Sequence, residues 1–355
     1  MDPFLVIGLL LLGYKLRKHL YVVLAFVTGI LSALFGLVFC GIARLFGHNV
    51  DYFQVITMKS LLFVLWDLSS FNIEVCGEYS KLWNLDKAIY ESNHIGYSDW
   101  MIALIIADVF QHPGMLKILC AKYVAAIPII GQSLINMGFP MLSRNNKEAD
   151  TKEIKRTCNG GVHSKWIVLF PEGTFTDNAC AKEYLDKQRE YCDKNNIQGF
   201  SNDDLVLMPR KTGYDLIRSV TGFDTISVCT YAESVSGATS RCELVDDKRF
   251  NPSILDMVYG RIRTVVSNFK VLSGDVDIYE VYRQKNEMLK DEFKNTVVIP
   301  RKFTSGRFIA FIGVYSWFIS ICWILSNVLG AYLVGAIVSF GLIRSVLSII
   351  KIDTT

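Results

Sequence analysis

The chain has 355 residues, 51% of them hydrophobic, a formal charge of +3 and a mean hydropathy of +0.30. The near-balanced charge, with no basic stripe interleaved with aromatics, gives no support to nucleic-acid binding. Nine cysteines at irregular positions, without a C-x-x-C pair, argue against a disulfide framework and a zinc centre, and the one N-x-S triplet, Asn251-Pro252-Ser253, is closed to glycosylation by its proline.

The apolar residues are concentrated at the two ends. Pro3 to Tyr14 is a short apolar run without a basic leader, which reads as an interfacial helix rather than a signal peptide, followed by the basic knot Lys15, Arg17, Lys18 and His19. Leu20 to Ala43 contains no charged residue; as a helix it reaches about 36 Å, enough for a hydrocarbon core of about 30 Å. By the positive-inside rule the knot lies in the cytosol. A single crossing would then carry the rest of the chain to the lumen, so the expectation is a re-entrant run bent near Gly29 or Gly36, or pairing of the two apolar runs in one leaflet, the latter preferred. At the other end Phe308 to Ile343 is also uncharged. At about 54 Å it is too long for one crossing, and Asn327 and Gly330 suggest a break that makes it a transmembrane hairpin.

Between these ends, short β-rich runs at Phe71 to Cys76, Ala88 to Ser92, Trp166 to Phe170, Leu205 to Met208 and Thr225 to Tyr231 alternate with helical stretches such as Trp100 to Phe110 and Ala179 to Lys194. The charge-rich segment from Asn145 to Arg156 reads as a solvated loop leading into a helix. The alternation predicts an α/β fold, a mostly parallel sheet flanked by helices, and three parts: N-terminal membrane-anchoring helices (1–48), a central α/β domain (49–302) and C-terminal membrane helices (303–355).

Two segments carry chemistry. In Asn93-His94-Ile95-Gly96-Tyr97-Ser98-Asp99-Trp100 a strand ends, a Gly-containing turn follows and a helix begins, so Asp99 is placed to fold back onto His94. A carboxylate on one ring nitrogen fixes the tautomer and lets the other take a proton from an alcohol. Taken alone, the same spacing equally suits a capped helix start with a hydrogen-bonded turn histidine. In Trp166-Ile-Val-Leu-Phe-Pro171-Glu172-Gly173-Thr174 a buried strand ends in a turn with a carboxylate, a glycine and a hydroxyl. Open α/β sheets bind ligands at the carboxyl ends of their strands, so Glu172 and His94 are able to converge on one crevice. By itself this second segment reads as an ordinary strand-end turn. There is no G-x-S-x-G elbow, and His19, His48, His94, His112 and His163 show no metal-ligand spacing.

With these residues the sequence resembles the glycerolipid acyltransferase family that includes lysophosphatidate acyltransferases. The family's N-H-x4-D block is matched by Asn93, His94 and Asp99, and its F-P-E-G-T block by Phe170 to Thr174. Between them lie Lys122, Pro128 with Gly131, and Arg144 after Phe139-Pro-Met-Leu-Ser; a later P-R-x-x-G is similar to Pro209-Arg210-Lys211-Thr212-Gly213. Phe175 stands where many members have Arg, which leans the acceptor towards a lysophospholipid with a larger headgroup. The resemblance implies direct acyl transfer from acyl-CoA as co-substrate, with no bound cofactor or metal. His94 is then the base and Asp99 its orienting partner, Arg144 the first choice for the acceptor phosphate, and Lys122 and Arg210 further phosphate or CoA contacts. Glu172, Gly173 and Thr174 position the glycerol backbone or support the loop. The lipid bilayer is the other implied partner, and the endoplasmic reticulum, with the catalytic domain facing the cytosol, the expected location. The rival readings are acylation of glycerol 3-phosphate or a lysocardiolipin, an inactive scaffold of the same fold, and a small transporter, which the uncharged spans disfavour.

Overall fold

The structure is a computed structural model, and it describes residues 3–110, 116–159, 165–174, 182–201, 204–235, 253–291, 293–301 and 304–352. The short apolar runs build a seven-stranded sheet. In chain order its strands are β1 (Asn72–Gly77), β2 (Lys87–Ser92), β3 (Leu116–Ile118), β6 (Lys165–Leu169), β7 (Thr225–Ser234), β8 (Ile262–Leu272) and β9 (Val297–Val298), in the spatial order β3-β6-β2-β7-β8-β1-β9. A separate parallel pair joins β4 (Cys120–Ala121) to β5 (Met141–Leu142). The β3–β6, β6–β2, β2–β7 and β8–β1 pairings are parallel, whereas β7–β8 and β1–β9 are antiparallel.

Alternating side chains of the central strands feed two cores, as the period of two in a strand requires. Ala88, Tyr90, Trp166 and Val168 point to one face, which is covered by α3 (Asp99–Val109). Ile89, Ile167 and Leu169 point to the other, with Tyr214 and Ile217 of α7 (Lys211–Thr221) and Ile278 and Tyr282 of α9 (Ile278–Lys290). The remaining helices are α2 (Asp51–Leu62, continued by a wider π-helical turn through Asp67), α4 (Ile130–Asn136), α5 (Lys147–Asn159), α6 (Lys182–Asn195) and α8 (Ile254–Val258).

Both ends differ from the sequence expectation. The two N-terminal apolar runs do not pair in one leaflet, nor is the second bent at Gly29 or Gly36; they form one continuous helix, α1 (Pro3–Leu45). The basic knot does not interrupt it, because Lys and Arg are good helix formers. The C-terminal run is likewise one helix, α10 (Ser305–Ile352), not a hairpin. Asn327 does not break it, since its side-chain amide donates to the Trp323 carbonyl of the preceding turn (2.8 Å), and a lone interior glycine such as Gly330 costs only about 1 kcal/mol. Within these helices His19–Leu45 and Ser305–Val328 are long and apolar enough to cross a membrane. Arg307 fixes the foot of α10 to the domain, bonding Asp67 and Asp108 (2.6 Å to the latter) in a buried cluster.

The sheet also departs from expectation at Leu205 to Met208, which is largely buried but begins with bends at Leu205 and Val206 and joins no strand. Side-chain oxygens replace ladder partners there: the Leu205 N–H donates to Asn286 Oδ1 (2.7 Å) and that of Met208 to Gln188 Oε1 (3.2 Å). The charged Asn145–Arg156 segment is mostly helix α5 rather than loop, and the predicted helix from Ala179 is described from Lys182 onward.

Candidate active site

The strand register sets the site. β2 and β6 are parallel neighbours with Glu91 opposite Leu169, so the residues that follow each strand emerge side by side at its carboxyl end. There the turn after β2 carries His94 and the turn after β6 carries Glu172. Asp99, the first residue of α3, folds back: its Oδ2 accepts from His94 Nδ1 (2.6 Å), from the Ile95 N–H (2.7 Å) and from the Gly96 N–H (3.2 Å). A carboxylate on Nδ1 selects the tautomer in which Nε2 carries the lone pair. The Phe170 ring stacks on the imidazole (centroids 4.8 Å apart, planes at 22°) and fixes its plane. Burial pushes the Asp99 carboxyl up, opposed by His94 and the two backbone donors.

Glu172 is fully buried beneath the same turn, where its Oε1 accepts the His94 backbone N–H (3.1 Å). Burial holds this carboxyl well above its ordinary value of 4.5, against hydrogen bonds from the His94 and Leu207 N–H groups and the nearby Lys285 charge. Of the two roles the sequence left open for Glu172, the placement suits loop support.

His94 lines a cleft of about 1040 Å³ together with Phe170, Arg144, Gly173, Arg210 and the first residues of α7. Arg144 follows β5 with φ at +64° and donates from Nη1 to the Gly173 carbonyl (2.7 Å), while its N–H and that of Ser143 are held by Asp150. The Arg210 N–H donates to the Pro171 carbonyl (2.8 Å) and its side chain lies over Gly173, where a Cβ would come within 3.0 Å of the Arg210 Nε and Cζ. Gly173 also has φ at +74°, which is what makes the position favour glycine. The cleft thus gathers one histidine–carboxylate pair and two guanidinium groups around a single turn.

Residues 73–222 of the 355 match the family model described as Acyltransferase, and over that span the chain is similar to the acyltransferase family. It is 26% identical over 250 residues to 1-acyl-sn-glycerol-3-phosphate acyltransferase 3 of Arabidopsis thaliana, covering 67% of this chain and 61% of that protein. It is 23% identical over 226 residues to probable 1-acyl-sn-glycerol-3-phosphate acyltransferase 5 of the same plant, covering 59% and 54%. The chain therefore spans less than two thirds of the length of these relatives. The crystal structure of the 1-acyl-sn-glycerophosphate (LPA) acyltransferase PlsC from Thermotoga maritima superposes with a TM-score of 0.45 at 13% identity, covering 79% of this chain and 99% of that one.

Not every residue expected at the site faces the cleft. Lys122 is exposed at the start of a 3-10 turn and is not among the lining residues, and Thr174 is half-buried beside the cleft without lining it. Phe175 lies outside the described residues. The sequence reading quoted Asn93 in a motif but assigned no role to it or to the other residues that brace the turn from below. Asn93 forms a two-way amide clasp with Thr230 of β7: its Nδ2 donates to the Thr230 carbonyl and its Oδ1 accepts the Thr230 N–H, both at 2.8 Å. Glu91 pairs with Lys285 of α9 (2.6 Å), both fully buried, and the Tyr282 hydroxyl donates to the Ser92 carbonyl (3.1 Å). The signal was present in Ala88-Ile-Tyr-Glu91-Ser: a carboxylate inside an otherwise apolar central strand needs a buried partner. Lys147, Lys187 and Lys211 of the lining were also unforeseen.

Proposed function

We propose that the protein is an acyl-CoA-dependent O-acyltransferase that esterifies a lysophospholipid, either lysophosphatidate or one with a larger headgroup. The observation that carries this reading is the 2.6 Å bond between His94 Nδ1 and Asp99 Oδ2 at the wall of a cleft that also presents Arg144 and Arg210. The acceptor hydroxyl attacks the thioester carbonyl while His94 Nε2 takes its proton; a C–O bond forms, the C–S bond breaks, and the proton passes to the departing thiolate. Asp99 stabilises the imidazolium formed on the way. Arg144 is assigned to the acceptor phosphate, which a guanidinium binds in bidentate fashion, and Arg210 to phosphates of either substrate. No acyl-enzyme is required. The donor is water-soluble and made in the cytosol, so the catalytic domain is assigned to that side, and the endoplasmic reticulum is the proposed membrane.

The test is to incubate membranes carrying wild type or His94→Ala with labelled acyl-CoA and a panel of lysophospholipids that includes glycerol 3-phosphate and lysocardiolipin. Acylation of one acceptor by wild type alone supports the mechanism and names the headgroup. Equal activity of both proteins removes His94 as the base, and no activity on any acceptor at normal expression favours the scaffold.

A further inference from the structure

Helix α1 does not stand apart from the catalytic domain. Along its length the Tyr21 hydroxyl donates to the Val64 carbonyl (2.8 Å), Thr28 Oγ1 pairs with the Tyr315 hydroxyl of α10 (2.9 Å), and the Leu37 carbonyl accepts Asn136 Nδ2 of α4 (2.9 Å). One face of this helix is therefore packed, and the opposite face, including Phe26, Val38 and Ile42, is exposed. At Phe35 and Phe39 it meets Trp317 of α10 edge-on (5.5 Å between centroids in each case), and beyond that point α10 is largely exposed and apolar through Val328.

The turn that leads into α4 sits on these same coils of α1, with Gly36 packed against Ser133. It reads Ile127-Pro128-Ile129-Ile130-Gly131. Ile129 has φ +66° and ψ −56°, and the Ile130 N–H donates to the Pro128 carbonyl (2.7 Å), which makes a γ-turn of the rare positive-φ kind. β-branched residues almost never adopt it, and a water-facing turn would place Gly or Asn there. Gly131 locks the turn from inside, because an added Cβ would lie 2.5 Å from the Val124 carbonyl oxygen. The tip is apolar and open: Tyr123 is 74% exposed, and Ile127, Ile129 and Ile130 between 37% and 42%. The chain enters the turn from the cleft side: Leu119 and Cys120 line the cleft, and the turn's own residues do not.

We infer that this turn is a wedge inserted into one leaflet of the bilayer, its occupant the acyl-chain region of membrane lipid. Lipid is the occupant because the turn is seated on α1 beside the departure of α10, and both helices carry stretches long and apolar enough to cross a membrane. An amphipathic Tyr at the rim and Lys122 just inside it suit the headgroup level. The wedge would place the cleft next to lipid acceptors arriving laterally; that functional part rests on the acyltransferase reading, whereas the insertion does not.

The test uses the full chain in phosphatidylcholine nanodiscs with p-benzoylphenylalanine at Tyr123, Ile130, Ile324 or Lys270, irradiated and analysed by mass spectrometry for lipid adducts. Adducts are expected at 123, 130 and 324 and not at 270, which is exposed on β8. Adducts at 324 without any at 123 and 130, or cross-links from the turn to protein alone, overturn the wedge. With activity as the readout, Ile127→Asp/Ile130→Asp should lose on the order of tenfold in kcat/KM for a long-chain acceptor presented in vesicles, with an unchanged value for a short-chain dispersible one. Equal losses on both acceptors would also overturn it.

Discussion

The Lys285→Met substitution tests how the site is braced. Lys285 Nζ and Glu91 Oε2 are 2.6 Å apart with neither side chain exposed, and the ammonium lies 4.6 Å from the Tyr282 ring centroid. Glu91 Oε1 has no hydrogen-bond partner among the described residues, so even the intact pair is incompletely satisfied. Its net contribution is therefore small, but removing one partner leaves an uncompensated charge in the sheet, which costs about 3–5 kcal/mol. For a domain of this size about 1 kcal/mol moves the midpoint by about 2–4 °C, so the apparent Tm in detergent at a fixed scan rate should fall by about 6–20 °C. Glu91→Leu should behave alike. The double variant Glu91→Leu/Lys285→Met should return to within about 2 kcal/mol of wild type, because a volume-matched apolar pair has no desolvation penalty. The coupling from the double-mutant cycle is the quantity to report. Two single variants as stable as wild type, or losses that simply add, would refute the reasoning.

Three further outcomes follow from the geometry. Asp99→Asn should lower kcat by about 10² to 10⁴ with little change in KM, since it disturbs the His94 tautomer and not substrate contacts; steady-state kinetics on the acceptor found in the panel assay checks this. Glu172→Gln should flatten the pH dependence of stability. The folded protein holds a proton on Glu172 that the unfolded chain releases above its ordinary value of 4.5, so that stabilisation is complete below pH 4.5 and is lost as pH rises towards the elevated folded value. Apparent Tm measured from pH 4.5 to 8 should thus decline more in wild type than in the variant, and parallel profiles would contradict the assignment. Gly131→Ala should destabilise by about 1–3 kcal/mol, because its methyl group would press on the Val124 and Ala125 carbonyl oxygens; thermal unfolding reads the effect.

How legible each part was depends on whether its determinants are local. β2 and β6 are short runs with an aliphatic and aromatic centre that end in turns, and length, composition and the flanking turns mark them as buried strands. Once two such strands are parallel neighbours, the convergence of His94 and Glu172 follows from the register, which is why the site could be anticipated while Lys122 could not. The Lys122 side chain depends on the path of the chain after β4, which no short-range pattern fixes. β8 escaped notice because Arg263, Asn268 and Lys270 interrupt its apolar residues, and Leu205 to Met208 misled because a short buried apolar run is strand-like while its backbone partners are the distant side chains of Asn286 and Gln188.

The same division explains the two long helices. Asn327 and Gly330 look like breakers when only intrinsic preference is weighed, but an asparagine within a helix is able to turn its amide back onto the preceding turn, and the run then continues. Lys285 shows the converse. On an amphipathic helix with many charges it reads as one more solvated lysine, and only the carboxylate of Glu91, 194 positions away, makes it a buried residue. A charge that seems out of place in a strand and a charge that seems ordinary on a helix are here two halves of one feature. Glu91 is the half a reader of sequence can find, because a carboxylate buried in a central strand is costly unless it is paired.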